Sequence, residues 1–129
     1  MSDKPPLTRV TVSRFLERAA GRLSLELVAG QRGLNRIIAE PAINRPGLAL
    51  AGFYNYFPNK RIQLIGFAEF SFLMSLAPDV RARRLADFFG AHVPCVVFAR
   101  NKRPFPCVAE LAEKFSIPVM RTQMVTGLF

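Results

Sequence analysis

A chain of 129 residues, half of them hydrophobic, has the apolar content for one real core and too little length for a second. Its apolar runs fall well short of the roughly 20 residues that cross a bilayer, and Met1-Ser2-Asp3-Lys4-Pro5-Pro6 has no stretch resembling a signal peptide, so a soluble, cytoplasmic protein is expected. The net charge of +9, from 18 Lys and Arg against 9 Asp and Glu, is dispersed without a run of five like charges, which argues against a basic arm.

Residues 1–9 are polar and proline-bearing, a flexible lead-in to a domain over 10–129. Thr11 is placed to cap a helix whose apolar face is Val12, Phe15, Leu16 and Ala19, with Gly21 to stop it. Leu23, Leu25 and Leu27 alternate with Ser24 and Glu26, which predicts a half-buried strand. Gly30 and Gly33 bracket a turn, and Ile37-Ile38 forms a short second strand. Residues 40–60 differ. Pro41, Pro46, Gly47, Gly52 and Pro58 punctuate them and forbid a regular helix or central strand. Phe53, Tyr54, Tyr56 and Phe57 crowd into the same stretch, either as core beneath an irregular cover or as a binding surface with Arg45.

The second half is more regular. Ile62-Gln63-Leu64-Ile65 predicts a strand, and Glu69 to Leu76 a short helix ended by Pro78, which opens the next helix at its first position. That helix carries Ala82, Leu85 and Phe89 on one face and an Arg83–Asp87 pair on the other. Cys95 to Ala99 is a continuous apolar run, as in a strand covered on both faces. A loop from Arg100 to Pro106 leads to helical spacing at Val108, Leu111, Ala112 and Phe115, and then to a strand at Pro118-Val119-Met120. Strand, helix, strand at this spacing is a βαβ unit with the usual right-handed crossover. The fold class is α/β, a single-domain sheet with at least one such unit.

Several chemistries are disfavoured. No glycine precedes Lys-Ser or Lys-Thr in the G-x-x-x-x-G-K-[ST] pattern that wraps phosphates, and G-x-G-x-x-G is missing. His92 is the only histidine, which excludes a histidine-based metal cluster. Cys95 and Cys107 are too few for a disulfide framework. His92 and Cys95 could be read as base and nucleophile, but a loop histidine and a buried strand cysteine explain them more simply. Glu110 and Glu113 read as helix-surface charges. Three basic clusters (Lys60-Arg61; Arg81, Arg83, Arg84; Arg100, Lys102, Arg103) keep nucleic acid open as a partner, although they match no nucleic-acid module.

Ile43-Asn44-Arg45-Pro46-Gly47-Leu48, then Leu50-Ala51-Gly52-Phe53, then Arg61-Ile62-Gln63-Leu64-Ile65-Gly66 with Glu69, resemble the N-terminal domain of HPr kinase/phosphorylase. Thr11-Val12, Gly30 to Gly33-Leu34, Ser71-Phe72-Leu73, Pro94 to Val97, Arg100 and Ile117-Pro118 extend the likeness from about residue 10 to 126. The resemblance implies a parent enzyme that is hexameric, uses ATP and magnesium to phosphorylate a serine of the phosphocarrier HPr, and removes that phosphate by phosphorolysis. Its P-loop lies in a separate C-terminal domain, so no catalytic residue is carried over, and this chain would be a non-catalytic regulatory or assembly domain without a cofactor of its own. Thr122 to Phe129 then reads as the opening of a helix.

The resemblance also implies a fold similar to the UDP-sugar-holding domain of muramyl-peptide ligases. There a Ser-Arg pair near Pro-Gly belongs to the nucleotide site, and Asn44-Arg45 sits comparably, with Asn for Ser. Ala42 stands where the family commonly has an acid. The ligand-binding candidates are Asn44, Arg45, Gly47, Tyr54 and Arg61. Arg45 offers a planar fork for phosphate or carboxylate; alternatively it braces the loop by pairing with Glu40 or Glu69. A stand-alone module for a phosphorylated or nucleotide-linked small molecule is therefore the second functional reading, and nucleic-acid binding the third.

Overall fold

In chain order β1 (Val10–Thr11) runs directly into α1 (Val12–Ala19), followed by β2 (Leu25–Ala29), a 3-10 turn at Gln31–Gly33 and β3 (Ile37–Ile38). Then come α2 (Gly47–Leu50), β4 (Gln63–Ile65), α3 (Phe67–Ser75), α4 (Pro78–Phe89), β5 (Val96–Phe98), α5 (Pro106–Phe115) and β6 (Val119–Thr122). The computed structural model describes residues 9–124; the expected lead-in therefore lies, but for Arg9, outside the described residues.

The main sheet has the order β2-β6-β5-β4, and β1 pairs antiparallel with β3 in a small second sheet. β5 is parallel to both β4 and β6, so α5 closes the expected βαβ unit and the α3–α4 pair closes a second one. β2 is antiparallel to β6 and alternates, with Leu25 buried and Glu26 exposed. An edge strand wetted on one face needs that alternation, whereas the parallel strands are covered on both faces and read as unbroken apolar runs.

The pleat divides the core into two layers. Ile65, Val96, Phe98 and Val119 face one way and join Leu50, Leu73, Leu85, Phe88 and Phe89 from the helices. Leu64, Val97, Ala99 and Met120 face the other way and meet Val12 and Ala19 of α1 and Ile38 of β3. Side chains at successive strand positions point to opposite faces, so three short strands supply both layers.

Several boundaries follow local chemistry. Thr11 caps α1, its hydroxyl accepting from the Arg14 amide at 3.0 Å. Pro78 and Pro106 each occupy the first turn of their helices, where a missing N–H costs nothing. The strand expected from Leu23 begins at Leu25, because the Leu23 amide still bonds the Ala19 carbonyl behind α1. α3 starts at Phe67, two residues ahead of the expected Glu69, since the Glu69 side chain reaches back to the Gly66 amide. No ion pair joins Arg83 to Asp87 among the described residues, whose ion pairs are Arg45–Glu69, Arg61–Glu40 and Arg121–Glu26. Thr122 ends β6 rather than opening a helix; residues 125–129 lie outside the described residues.

The turn after β2 packs against the end of α5. Glu113, expected as a plain surface charge, accepts from the Gly30 amide at 2.8 Å. Arg36 donates to the carbonyls of Ser116 (2.7 Å) and Phe115 (2.8 Å), closing the C-terminal end of α5. Gly30 has φ +79°, and a Cβ there would strike the Ile117 carbonyl; a Cβ on Gly33 would strike that of Ser116. Gly30→Ala is therefore expected to destabilise the fold by at least about 2 kcal/mol. Gly21→Ala, with nothing within 4 Å of the new methyl, should be neutral or slightly stabilising. Urea unfolding of the two variants checks this, and equal midpoints would refute the close-approach account.

Candidate functional site

Gln63 is a polar residue on a strand buried along its whole length, and it is fully buried itself. A buried amide must be bonded. Its Nε2 donates to the carbonyls of Pro58 and Arg61, both at 3.0 Å, and its Oε1 accepts from Asn44 Nδ2 at 2.7 Å. The Asn44 backbone completes the contact: its N–H donates to Ile62 O and its carbonyl accepts from the Leu64 N–H, which makes a one-residue parallel extension of the sheet beside β4. Gln63 thus ties the irregular chain before it at Asn44, Pro58 and Arg61.

Arg45 is consequently held at the start of α3. Its Nε (3.0 Å) and Nη2 (2.7 Å) both donate to Oε1 of Glu69, which also accepts from the Gly66 N–H at 2.7 Å. Of the two roles open to Arg45, the structure shows the pairing with Glu69; Glu40 instead takes Arg61 at 2.8 Å. Nη1 of Arg45 keeps no protein acceptor among the described residues, and the side chain remains 40% exposed.

Pro46 and Gly47 then start α2, a single turn. Past Arg45 the chain forms a groove of about 90 Å3 whose walls include Leu48, Phe53, Asn55, Tyr56 and Pro58. The aromatics divide between the two roles left open for them. Phe57 packs on Phe88 with ring centroids 6.1 Å apart, and Tyr54 meets Phe57 edge-on at 5.4 Å. Phe53 is 51% and Tyr56 99% exposed.

Among the sequence candidates, Asn44 and Arg45 come together at the groove with Gly47 close by in the chain, while Arg61 is held by Glu40 and Tyr54 lines a separate depression with Gly52, Arg84, Asp87 and Gly90. Burial raises the Tyr54 phenol above the ordinary tyrosine range; the Asp87 carboxylate adds to this and the Arg84 guanidinium acts against it. Gln63, Leu48 and Asn55 were not singled out for the site from sequence, whereas Glu69 was one of the two acids named there as a partner for Arg45. Gln63 had a usable signal, a lone amide inside an apolar strand run.

The remaining candidates separate. Cys95 is completely buried and burial pushes its thiol up, while His92 is an exposed loop residue at φ 64°, so the two form no nucleophile–base pair. Three cations of the basic clusters lie on aromatic rings of this chain: Arg81 over Phe105 (4.6 Å), Arg100 over Phe67 (5.4 Å) and Lys102 over Phe70 (5.5 Å). Rings covered in this way are less free to stack bases.

Removing the Glu69 carboxylate would leave the Gly66 amide and the Arg45 guanidinium without their common acceptor. Glu69→Ala is expected to cost about 2 kcal/mol or more, and Glu69→Gln, which keeps an oxygen but not the charge, roughly half of that. Chemical denaturation of both variants tests this; an unchanged Glu69→Ala midpoint would show that the carboxylate does not organise the loop.

The chain is similar to the HPr kinase/phosphorylase of Clostridium tetani, at 45% identity over 87 residues, covering 67% of this chain and 28% of that protein. It is similar to that of Leptospira biflexa at 36% over 124 residues, covering 96% of this chain and 38% of the relative. The chain thus spans well under half the length of these relatives. Among solved structures, the regulatory region of a Clostridium perfringens pyrophosphatase, with its CBS and DRTGG domains, shares the fold at TM-score 0.57 and 16% identity, covering 87% of this chain and 42% of that one. The family model described as HPr Serine kinase N terminus matches residues 10–129, and the chain belongs to that family.

Proposed function

We propose that this chain serves as the non-catalytic, regulatory and assembly part of a bifunctional HPr(Ser) kinase/phosphorylase acting in the phosphotransferase system and carbon-source regulation. The observation that carries this reading is the family match over residues 10–129 in a sequence with no phosphate-wrapping G-x-x-x-x-G-K-[ST] motif. In this reading ATP, magnesium and the HPr substrate are handled by the rest of a cytoplasmic, hexameric parent protein. Among the described residues no helix is long and apolar enough to cross a membrane, in keeping with that location. A regulatory role is also in keeping with the solved neighbour of the same fold, itself part of a regulatory region and complexed with its activator, diadenosine tetraphosphate.

The second reading, a module for a phosphorylated or nucleotide-linked small molecule, draws on the finer likeness to the UDP-sugar-holding domain of muramyl-peptide ligases. What favours it is the place of Asn44-Arg45 at the β4 edge of a parallel layer, with one guanidinium nitrogen unbonded among the described residues. Against it stands Glu69, which already occupies the two nitrogens best placed for a bidentate anion contact.

The test is phosphoryl transfer. The purified chain, given ATP, magnesium and HPr, is expected to leave HPr unphosphorylated, and to leave serine-phosphorylated HPr intact when given inorganic phosphate. Turnover in either direction would refute the reading. Reading the coding sequence past the codon for Phe129 is the companion check, with a P-loop in the same frame as the expected result.

A further inference from the structure

We propose that the groove beside Arg45 is a protein-docking slot that takes one apolar side chain of a partner, with a carboxylate next to it on the partner chain. The inference goes beyond the kinase reading and does not depend on it.

Size narrows the occupant. About 90 Å3 is far below the roughly 300 Å3 at which sites for drug-sized ligands begin. The groove does not enclose a nucleotide or a nucleotide-linked sugar, and a single aliphatic side chain matches its size. The rim is apolar and uncovered: Leu48 is 70%, Phe53 51% and Tyr56 99% exposed, all within nine residues of chain. A cluster of large apolar side chains around a slot is the form that interface anchors meet, and aromatic residues are enriched there.

Tyr56 adds an independent sign. Its φ is +61°, a region that a bulky residue enters only at a cost of about 1–3 kcal/mol. Its ring is almost wholly in solvent and gains nothing from the core. A glycine would satisfy the turn more easily, so a tyrosine held there serves something outside the fold.

Charge decides the chemistry of the partner. Residues 41–66 contain Arg45, Lys60 and Arg61 and no Asp or Glu. Glu40 and Glu69, from outside this stretch, engage Arg61 and Arg45, while Lys60, exposed and two residues past Pro58 of the groove wall, and Nη1 of Arg45 have no acidic partner among the described residues. The Asn55 amide on the wall can donate to or accept from a peptide backbone. A second copy of this chain, itself at net charge +9, would on balance add positive charge to this surface. An apolar side chain followed by Asp or Glu meets both the slot and the charge.

The experiment titrates the isotopically labelled 129-residue chain with acetyl-leucyl-glutamate amide into the tens of millimolar, reading backbone amide shifts. Saturable shifts confined to residues 45–58 are expected, with acetyl-leucyl-glutamine amide several-fold weaker and acetyl-glycyl-glutamate amide failing to saturate. Tyr56→Gly suits the positive φ, so it should keep the melting temperature while weakening binding by about tenfold, the effect of losing an interface anchor. Phe53→Ser, also in the groove wall, should act in the same direction. Equal binding of the glutamate and glutamine probes would overturn the acidic part of the proposal. Saturation of the same amides by uridine monophosphate instead of the dipeptide would overturn it altogether, as would shifts scattered over the surface.

Discussion

One carboxylate oxygen organises the irregular third of this molecule. Oε1 of Glu69 accepts from the first amide before α3 and from two nitrogens of Arg45, some two dozen residues earlier in the chain. Because that oxygen is nearly buried, leaving any of its donors unpaired would be costly, and the segment has few alternatives. Gln63, fully buried three residues before Gly66, acts in parallel on Asn44, Pro58 and Arg61. The two side chains together pin both ends of the 44–61 stretch to the β4 edge, so a run too rich in proline and glycine for regular structure still has a defined shape.

The consequence for function is a reversal of roles. Arg45, the residue best suited by its chemistry to hold an anion, spends two of its nitrogens inward on Glu69. The large apolar side chains of α2 and the turn behind it, Leu48, Phe53 and Tyr56, are left in solvent. The surface that results resembles a protein contact more than an anion site. The sheet supports the same view. β4, β5 and β6 follow one another in space as they do in sequence, so no connection reverses direction between them. Doubly wound sheets seat their nucleotides where such a reversal opens a crevice. Here the parallel trio acts as a platform, and the distinctive surface lies along its edge.

Much of this was legible before any coordinates. The cap at Thr11, the prolines opening α4 and α5, and the apolar run of β5 act over a few residues, and local chemistry decides them. The Asn44-Arg45 segment was legible as a place of interest from its punctuation and aromatics. Less so were contacts between residues distant in sequence. Glu113 looks like any helix-surface acid until the Gly30 amide is brought to it, and Arg83 and Asp87 have favourable spacing but form no pair among the described residues. Tyr54 and Tyr56 stand two apart in one aromatic run, yet they line different depressions.

The sequence by itself determined the α/β class, the family and the lack of a phosphate-binding loop, because these depend on periodicity, on spaced blocks and on motifs whose parts are contiguous. Tertiary structure alone decided which acid Arg45 would meet, which aromatics would stay in water, and that a single-side-chain slot would form between them. Those outcomes depend on distances between segments dozens of residues apart, which are set when the helices close over the sheet. A residue's chemistry states what it can bind; only the closed fold states what is left for it to bind.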